Sequence, residues 1–574
     1  MYDLVIRNGL VYDGTGGPPR AADIGVEGRT IVTVGALDDG ALGETTEHID
    51  ADGLIVTPGF VDAHTHYDGQ ITWDPFVTPS TYHGVTTVVT GNCGVGFAPC
   101  RPHQRDWLIG LMEGVEDIPG TALHEGIEWD WETFPEYLDA LERRDLAIDV
   151  GTQVPHGAVR AYVMGERGPN HEVATAEEID EMAAVVHEAI SAGALGFSTS
   201  RTEKHRDSSG VLTPTITVHR DELVGIASVL GELDAGVLQG ISDFYDFDAE
   251  FALFRAMADA SGRPTSITVE QQDARPEWWK QLLDAVSAAQ ADGLSMLGQV
   301  PPRATGVLLG LTVTLNPFSF HPSFREIGLL DLEAKVERMA DPEFRSRILA
   351  EQSVMTEGLV GEIIGSFHKM FRLGDPADYE PPADRSFAAL AAAQGCSPHE
   401  IAYDAMLEKQ GRALIYHPLF NYLPGNLDFV AEMLDHPHTV MGLSDGGAHC
   451  GVISDASFPT TLIQHWGRDR DGKQFPLERL VSMQTKETAE LVGLRDRGIL
   501  APGYKADINV IDFDRLHAHE PTVAHDLPAG GRRLVQRASG YVATIVAGRV
   551  AFRHGEPTGE VNGRVVRGAQ PAPA

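Results

Sequence analysis

Cysteine is scarce: four residues (Cys93, Cys100, Cys396 and Cys450) in 574, none of them in a Cys-x-x-Cys pair. So few over such a length exclude a disulfide framework and fit a reducing compartment. Long apolar runs are missing too, since no window approaches 18 uninterrupted apolar residues. The opening Met1-Tyr2-Asp3-Leu4-Val5-Ile6-Arg7 has neither the basic start nor the apolar stretch of a secretory signal. A cytoplasmic protein is the expectation. Positive charge is also short: 44 Lys and Arg against 83 Asp and Glu give a formal charge of −39, which repels nucleic acid and anionic membranes. The acids come in scattered pairs such as Glu177-Glu178 and Asp221-Glu222, with no acidic tail, so they read as a solvated surface. No repeat recurs at a fixed period, and low complexity is confined to the Pro/Ala tail after Gly568.

What is present is ordinary globular composition, 43% hydrophobic and 22% charged, over a length that suits a large barrel plus a smaller domain. Residues 1 to about 56 alternate short apolar runs with turns, as in Leu4-Val5-Ile6 followed by Asn8-Gly9, and read as small antiparallel strands. That texture returns only after about residue 498, in Ala506-Asp507-Ile508-Asn509-Val510-Ile511 and Tyr541-Val542-Ala543-Thr544-Ile545-Val546. One composite β-sandwich built from residues 1–56 and 498–574 is the expectation, because domain termini tend to lie close together. Between them, amphipathic stretches such as Ala176 to Gly193 alternate with β-branched runs such as Thr86-Thr87-Val88-Val89. Strand then helix, repeated, implies α/β with a parallel sheet, and over residues 57–497 a closed (β/α)8 TIM-like barrel. Residues of about 318–412 break the rhythm and read as a helical insertion over the barrel mouth.

Three strand ends carry chemistry. Leu54-Ile55-Val56 leads into Gly59-Phe60-Val61-Asp62-Ala63-His64-Thr65-His66, where imidazoles at i and i+2 on an extended segment share a side and can bind one ion. A His-rich turn after a core strand is the bland alternative. Val85-Thr86-Thr87-Val88-Val89-Thr90 ends in Gly91-Asn92-Cys93-Gly94; its thiolate is a zinc donor, or else a small buried hydrophobe. Thr439-Val440-Met441-Gly442-Leu443-Ser444-Asp445-Gly446-Gly447-Ala448-His449 ends in a carboxylate, a ligand or an ordinary helix N-cap.

Together, His-x-His at an early strand end, Cys at the next and Asp at the last resemble the amidohydrolase superfamily. The Gly-Asn-Cys-Gly and Ser-Asp-Gly-Gly-Ala-His segments resemble its N-acyl-D-amino acid deacylase (D-aminoacylase) branch. The likeness extends to Leu4-Val5-Ile6-Arg7-Asn8-Gly9, Gly193-Ala194-Leu195-Gly196-Phe197-Ser198-Thr199 and Pro502-Gly503-Tyr504-Lys505-Ala506-Asp507, and is weakest from about 236 to 410. It implies His64, His66, Cys93 and Asp445 as metal ligands and Asp445 as the base that takes a proton from water. A divalent ion lowers the pKa of water and polarises an amide carbonyl, which fits that donor set. His156, in Val154-Pro155-His156-Gly157, sits at a matching strand end and is a candidate for contacting substrate or the developing oxyanion, or else a backbone-bonding His.

The departures are equally specific. The family takes two further histidines from its fifth and sixth strands, yet Gly236-Val237-Leu238-Gln239-Gly240-Ile241-Ser242-Asp243 and Pro264-Thr265-Ser266-Ile267-Thr268-Val269-Glu270-Gln271-Gln272 carry none. His219 opens an amphipathic helix and is a decoy. One divalent ion, zinc by donor chemistry, is therefore the reading, with Glu270 a carboxylate whose facing depends on strand register. No Lys falls at the barrel-strand ends legible in the sequence. Trp278-Trp279 reads as core packing, Arg303 and Arg325 as surface groups before substrate clamps, and His449-Cys450 as a loop near the metal. The expected function is metal-dependent hydrolysis of a C–N amide bond, most plausibly of an N-acyl-D-amino acid. The rivals are hydrolysis of a cyclic amide and a barrel that has lost catalysis and only binds. Expected partners are a small-molecule amide, no nucleic acid and no membrane, with a homo-oligomer left open.

Overall fold

The computed structural model describes residues 1–574, apart from the side chain of Asp39. Eight parallel strands stand side by side in chain order: β1 (Phe60–Asp62), β2 (Val85–Thr90), β3 (Asp149–Pro155), β4 (Gly196–Arg201), β5 (Val237–Ser242), β6 (Thr265–Thr268), β7 (Met296–Val300) and β8 (Thr439–Met441). The row curls until its ends meet. Thr65, beyond β1, bridges Gly446, beyond β8, and the His66 N–H donates to the Gly446 carbonyl at 2.8 Å. This is the (β/α)8 barrel that the alternating texture predicts.

Local sequence explains the pieces. β2 reads Val-Thr-Thr-Val-Val-Thr with all six residues buried; a strand between barrel interior and outer helices has no wet face, and β-branched side chains fit that pleat. The helix Ala176–Ala192 starts where Thr175 Oγ1 accepts from the Glu178 N–H while Glu178 accepts from the Thr175 N–H, a reciprocal cap. It buries Met182, Val186, Ala189 and Ile190, spaced along one stripe, and stops at Gly193 with φ 118°.

Both ends of the chain share a nine-stranded sheet. Its centre places Ile508–Ile511 between Ile55–Pro58 and Tyr541–Val546, with Tyr2–Val11 beyond Ile55–Pro58. Leu4, Ile24, Val26, Ile508 and Ile545 close around one core. Two ladders are parallel, Tyr2–Val11 with Leu42–Asp50 and with Ile55–Pro58, where the turn spacing predicts antiparallel strands. Alternation marks a strand but not its direction.

Between β7 and β8 the chain leaves the barrel. The excursion carries helices such as Leu332–Ala340 and Gly358–Gly365, with Phe318, Phe344, Tyr403 and Met406 in a core of their own. It also holds a three-stranded antiparallel sheet, Gly306–Leu309, Ile415–Pro418 and Phe371–Arg372, of which only Phe371–Arg372 falls within the 318–412 segment read as helical. Its strands are two to four residues long, too short for a periodic signal.

At the opposite end of the barrel, Asp149 opens β3 with no exposed surface. Arg497 Nη1 donates to it at 2.7 Å, Lys505 Nζ lies at 3.0 Å, and the Arg564 N–H donates at 3.0 Å. Against the upward pull of burial, Lys505 and Arg497 hold this carboxyl well below its usual range. No helix among the described residues is long and apolar enough to cross a membrane.

Candidate metal centre and its cavity

The chain leaving β1 carries His64 and His66 with ring centroids 5.5 Å apart, both buried. His64 Nδ1 lies 2.7 Å from Gln299 Oε1 of β7. The Gln299 amide donates from Nε2 to Ser266 Oγ at 3.0 Å, and that hydroxyl turns its proton to the Leu238 carbonyl. This chain keeps the His64 proton on Nδ1 and leaves Nε2 with a free lone pair aimed inward.

Cys93 reaches the same point through a turn that few residues could make. Gly91, Cys93 and Gly94 all have positive φ (73°, 54° and 70°), and a Cβ on Gly91 would lie 2.1 Å from the Gln153 carbonyl oxygen. Asn92 pins the turn by donating to the Thr65 and Val89 carbonyls and accepting from Gln153 Nε2 at 2.8 Å. The thiol then sits 3.3 Å from His64 Nε2. Asp445 arrives from β8 on a loop in which Leu443, Asp445 and His449 all have positive φ, the kind of strain that gathers at functional sites. Its Oδ1 is 3.4 Å from His64 Nε2 and 3.7 Å from His66 Nε2.

Ligand atoms of His64, His66 and Cys93 lie within 4.8 Å of one another. Burial raises the Asp445 carboxyl well above its ordinary value, with Asp455, Glu270 and Asp62 adding to it, and raises the Cys93 thiol likewise. Burial pushes His64 down to about 4 and His66 well below its ordinary range. A divalent cation would favour the ionised carboxyl and thiol and the neutral imidazoles alike, so the donor chemistry fits one. His66 Nδ1 and Glu116 Oε1, 3.3 Å apart, also have no hydrogen-bond partner. Two imidazoles, a thiol and a carboxylate fit a borderline divalent ion such as zinc.

These groups open into a cavity of about 240 Å³. The sequence reading missed three of its polar members. Glu116 ends the helix Arg105–Glu116 and approaches His66 and His449; an acid in a helix's last turn, opposed by the dipole, is the signal that was there to see. Lys204 and His205 lie in the loop beyond β4 and line the wall, so a Lys reaches the cavity although none stands at that strand's end. β4 ends at Arg201, and the loop brings Lys204 back over the mouth. Glu270 faces the cavity, its Oε1 accepting from Thr305 Oγ1 at 2.9 Å, but it lies outside the cluster of converging donors.

His156 is elsewhere. It is fully buried and does not line the cavity, and its ring nitrogens are 2.9 Å from Thr199 Oγ1 and 2.9 Å from Glu222 Oε1, the latter also bound by Arg160. It ties a helix start to its neighbours and has no atom left for substrate, which corrects its candidacy. Arg303 is neither on the surface nor a substrate clamp: it is buried, 2.9 Å from Asp455 Oδ1 and stacked on Tyr379. Arg325 is exposed, His219 precedes the helix Arg220–Glu232 without a side-chain capping bond, and Trp278 and Trp279 are core. His449 lines the cavity.

A donor set for a divalent cation at the C-terminal ends of barrel strands, lining a cavity, defines a metal-dependent hydrolase. The chain matches the model of the Amidohydrolase family over residues 47–552 and belongs to that family. It is 30% identical to an uncharacterized protein, Rv2913c, of Mycobacterium tuberculosis (strain ATCC 25618 / H37Rv), over 97% of this chain and 93% of the relative. It is 28% identical to D-aminoacylase of Alcaligenes xylosoxydans xylosoxydans, over 98% and 97%. A solved D-aminoacylase, described with a binuclear metal center, one-metal activation and second-metal attenuation, shares the fold at TM-score 0.66 and 24% identity, over 99% of this chain and all of that one. The chain is a metal-dependent hydrolase of carbon–nitrogen bonds other than peptide bonds.

Proposed function

We propose that this enzyme is an N-acyl-D-amino acid deacylase that works with one zinc ion, held by His64, His66, Cys93 and Asp445. The observation that carries the reading is the convergence of the three donors within 4.8 Å, with Asp445 Oδ1 beside both imidazoles. The full-length likeness to D-aminoacylase supports the substrate class and its configuration. Loss of the fifth- and sixth-strand histidines supports a single ion.

A divalent ion bound there supplies Lewis-acid activation of water and polarisation of the amide carbonyl. Asp445 does the proton work: it accepts a proton from the attacking water and returns it to the leaving amine nitrogen, so amide plus water yields carboxylic acid and amine. Its side chain lies beside both imidazoles and is partly open to the cavity, which suits both halves of that transfer. Gln299 holds the His64 ring in register. Val115, Ile241, Val307, Leu359, Ile363 and Phe420 give the cavity an apolar wall, which favours an apolar side chain or acyl group over an acidic one. The volume, below the about 300–1,000 Å³ of drug-sized sites, suits a single acylated residue. The grouping of His64, His66 and Cys93 speaks against a barrel that only binds, while the missing fifth- and sixth-strand histidines speak for it.

The test is amine release by zinc-loaded protein from N-acetyl amino acids of both configurations, with a cyclic amide alongside. Selective turnover of apolar D substrates is expected; turnover of the cyclic amide alone would replace this reading with its rival.

A further inference from the structure

Resting on the N-acyl amino acid reading, we infer that Lys204 is the residue that grips the substrate's α-carboxylate. Among the described residues it is the only Lys or Arg in the cavity wall. Its ammonium is fixed but unspent. Nζ lies 4.4 Å from the centre of the Phe420 ring and 3.8 Å from Asp243 Oδ1, beyond hydrogen-bond reach of that carboxylate. No hydrogen bond from Nζ is formed among the described residues, so three donors remain for a ligand. Asp243 is itself anchored, accepting from Thr202 Oγ1 at 2.8 Å and from the Glu203 N–H at 2.7 Å. It forms an ion pair with the ammonium at the rim, at a distance that leaves the Nζ hydrogens without a hydrogen bond to it.

The other cations of this region are committed. Arg201 is bound through two nitrogens to Glu250 at 2.7 and 2.8 Å, Arg303 is paired with Asp455, and Lys369 donates to Asp273 and the Leu419 carbonyl. Arg275 donates to the Asp243 and Phe244 carbonyls. A chain of formal charge −39 repels an anionic substrate at long range. Holding such a substrate therefore requires a local cation, and Lys204 is the one with donors to give. His205, next in the chain, turns Nδ1 to Ser200 Oγ at 2.9 Å and lines the same wall, so the loop after β4 presents both residues to the cavity.

The experiment compares N-acetyl-leucine of D configuration with N-acetyl-isopentylamine, the same molecule without its carboxylate, on wild type, Lys204→Met and Lys204→Arg, all zinc-loaded. Wild type should favour the carboxylate in kcat/KM. Lys204→Met should shrink that preference by about 10- to 100-fold, mostly through KM, the scale of losing a hydrogen bond between charged groups. Lys204→Arg should restore much of it. A preference that survives in Lys204→Met overturns the role of Lys204 while leaving the deacylase reading intact. A wild type that favours the neutral amide, or that neither cleaves nor binds N-acetyl-leucine by calorimetry, overturns both.

Discussion

Gln299→Leu offers the sharpest test of the metal centre, because Gln299 is outside both the cavity wall and the converging donors yet sets the tautomer of His64. The change removes the acceptor 2.7 Å from His64 Nδ1 and the donor 3.0 Å from Ser266 Oγ, at a position 1% exposed where no water can replace them. The imidazole is then free to move its proton to Nε2, the atom aimed at the ion. Loss of such an orienting partner typically costs about 10- to 100-fold in metal affinity, or about 1.4–2.7 kcal/mol. The buried Nδ1–H left without an acceptor adds about 1–3 kcal/mol of lost stability. Zinc affinity would be read by competition with a chromophoric chelator, beside the thermal midpoint of the metal-free protein. Gln299→Glu keeps an acceptor for Nδ1 and should stay within several-fold of wild type. Zinc binding in Gln299→Leu equal to wild type would refute the tautomer argument.

Three further outcomes are expected. Asp445→Asn keeps shape and a coordinating oxygen but no base, so bound zinc should persist while turnover falls by about 10²- to 10⁴-fold; His64→Ala should lose zinc and turnover together, as metal analysis would record. Gly91→Ala drives a methyl into the Gln153 carbonyl at a positive φ, so the Cys93 turn should shift and both zinc content and melting temperature should drop. Glu380 is held at about 2 because bonds from His465 and Arg470 outweigh burial. A carboxyl depressed in this way contributes stability fully above its ordinary 4.5 and loses it as pH falls toward 2. The gap in melting temperature between wild type and Glu380→Gln should therefore be wider at pH 7 than at pH 3.

The barrel and the three ligand-bearing strand ends were legible because each is a local pattern. A β-branched run closes on a donor and a glycine, as at Val85 to Gly94 and Thr439 to Gly447. The rest is decided across the chain. Glu116 reaches His66 from 50 positions away, and Gln299 meets His64 across 235. Neither carries a motif, because a carboxylate or an amide needs no special neighbours in sequence to act at a distance in space. His156 misled for the converse reason: its strand-end position was right, but Glu222 and Thr199 claim its ring. The parallel ladders of the terminal sheet were hidden because alternation is blind to strand direction.

The Asp149 cluster sets a schedule for the chain's birth. Its carboxylate is made early, while Arg497 follows 348 residues later and the Arg564 amide 415 residues later. At about 5–20 residues per second of synthesis, that delay is on the order of 20–80 s. For that interval a carboxylate destined for a dry interior has no counter-charge, and burying it alone would cost several kcal/mol. The Asp149 end of β3 therefore gains its native counter-charges only once the C-terminal segments have been made.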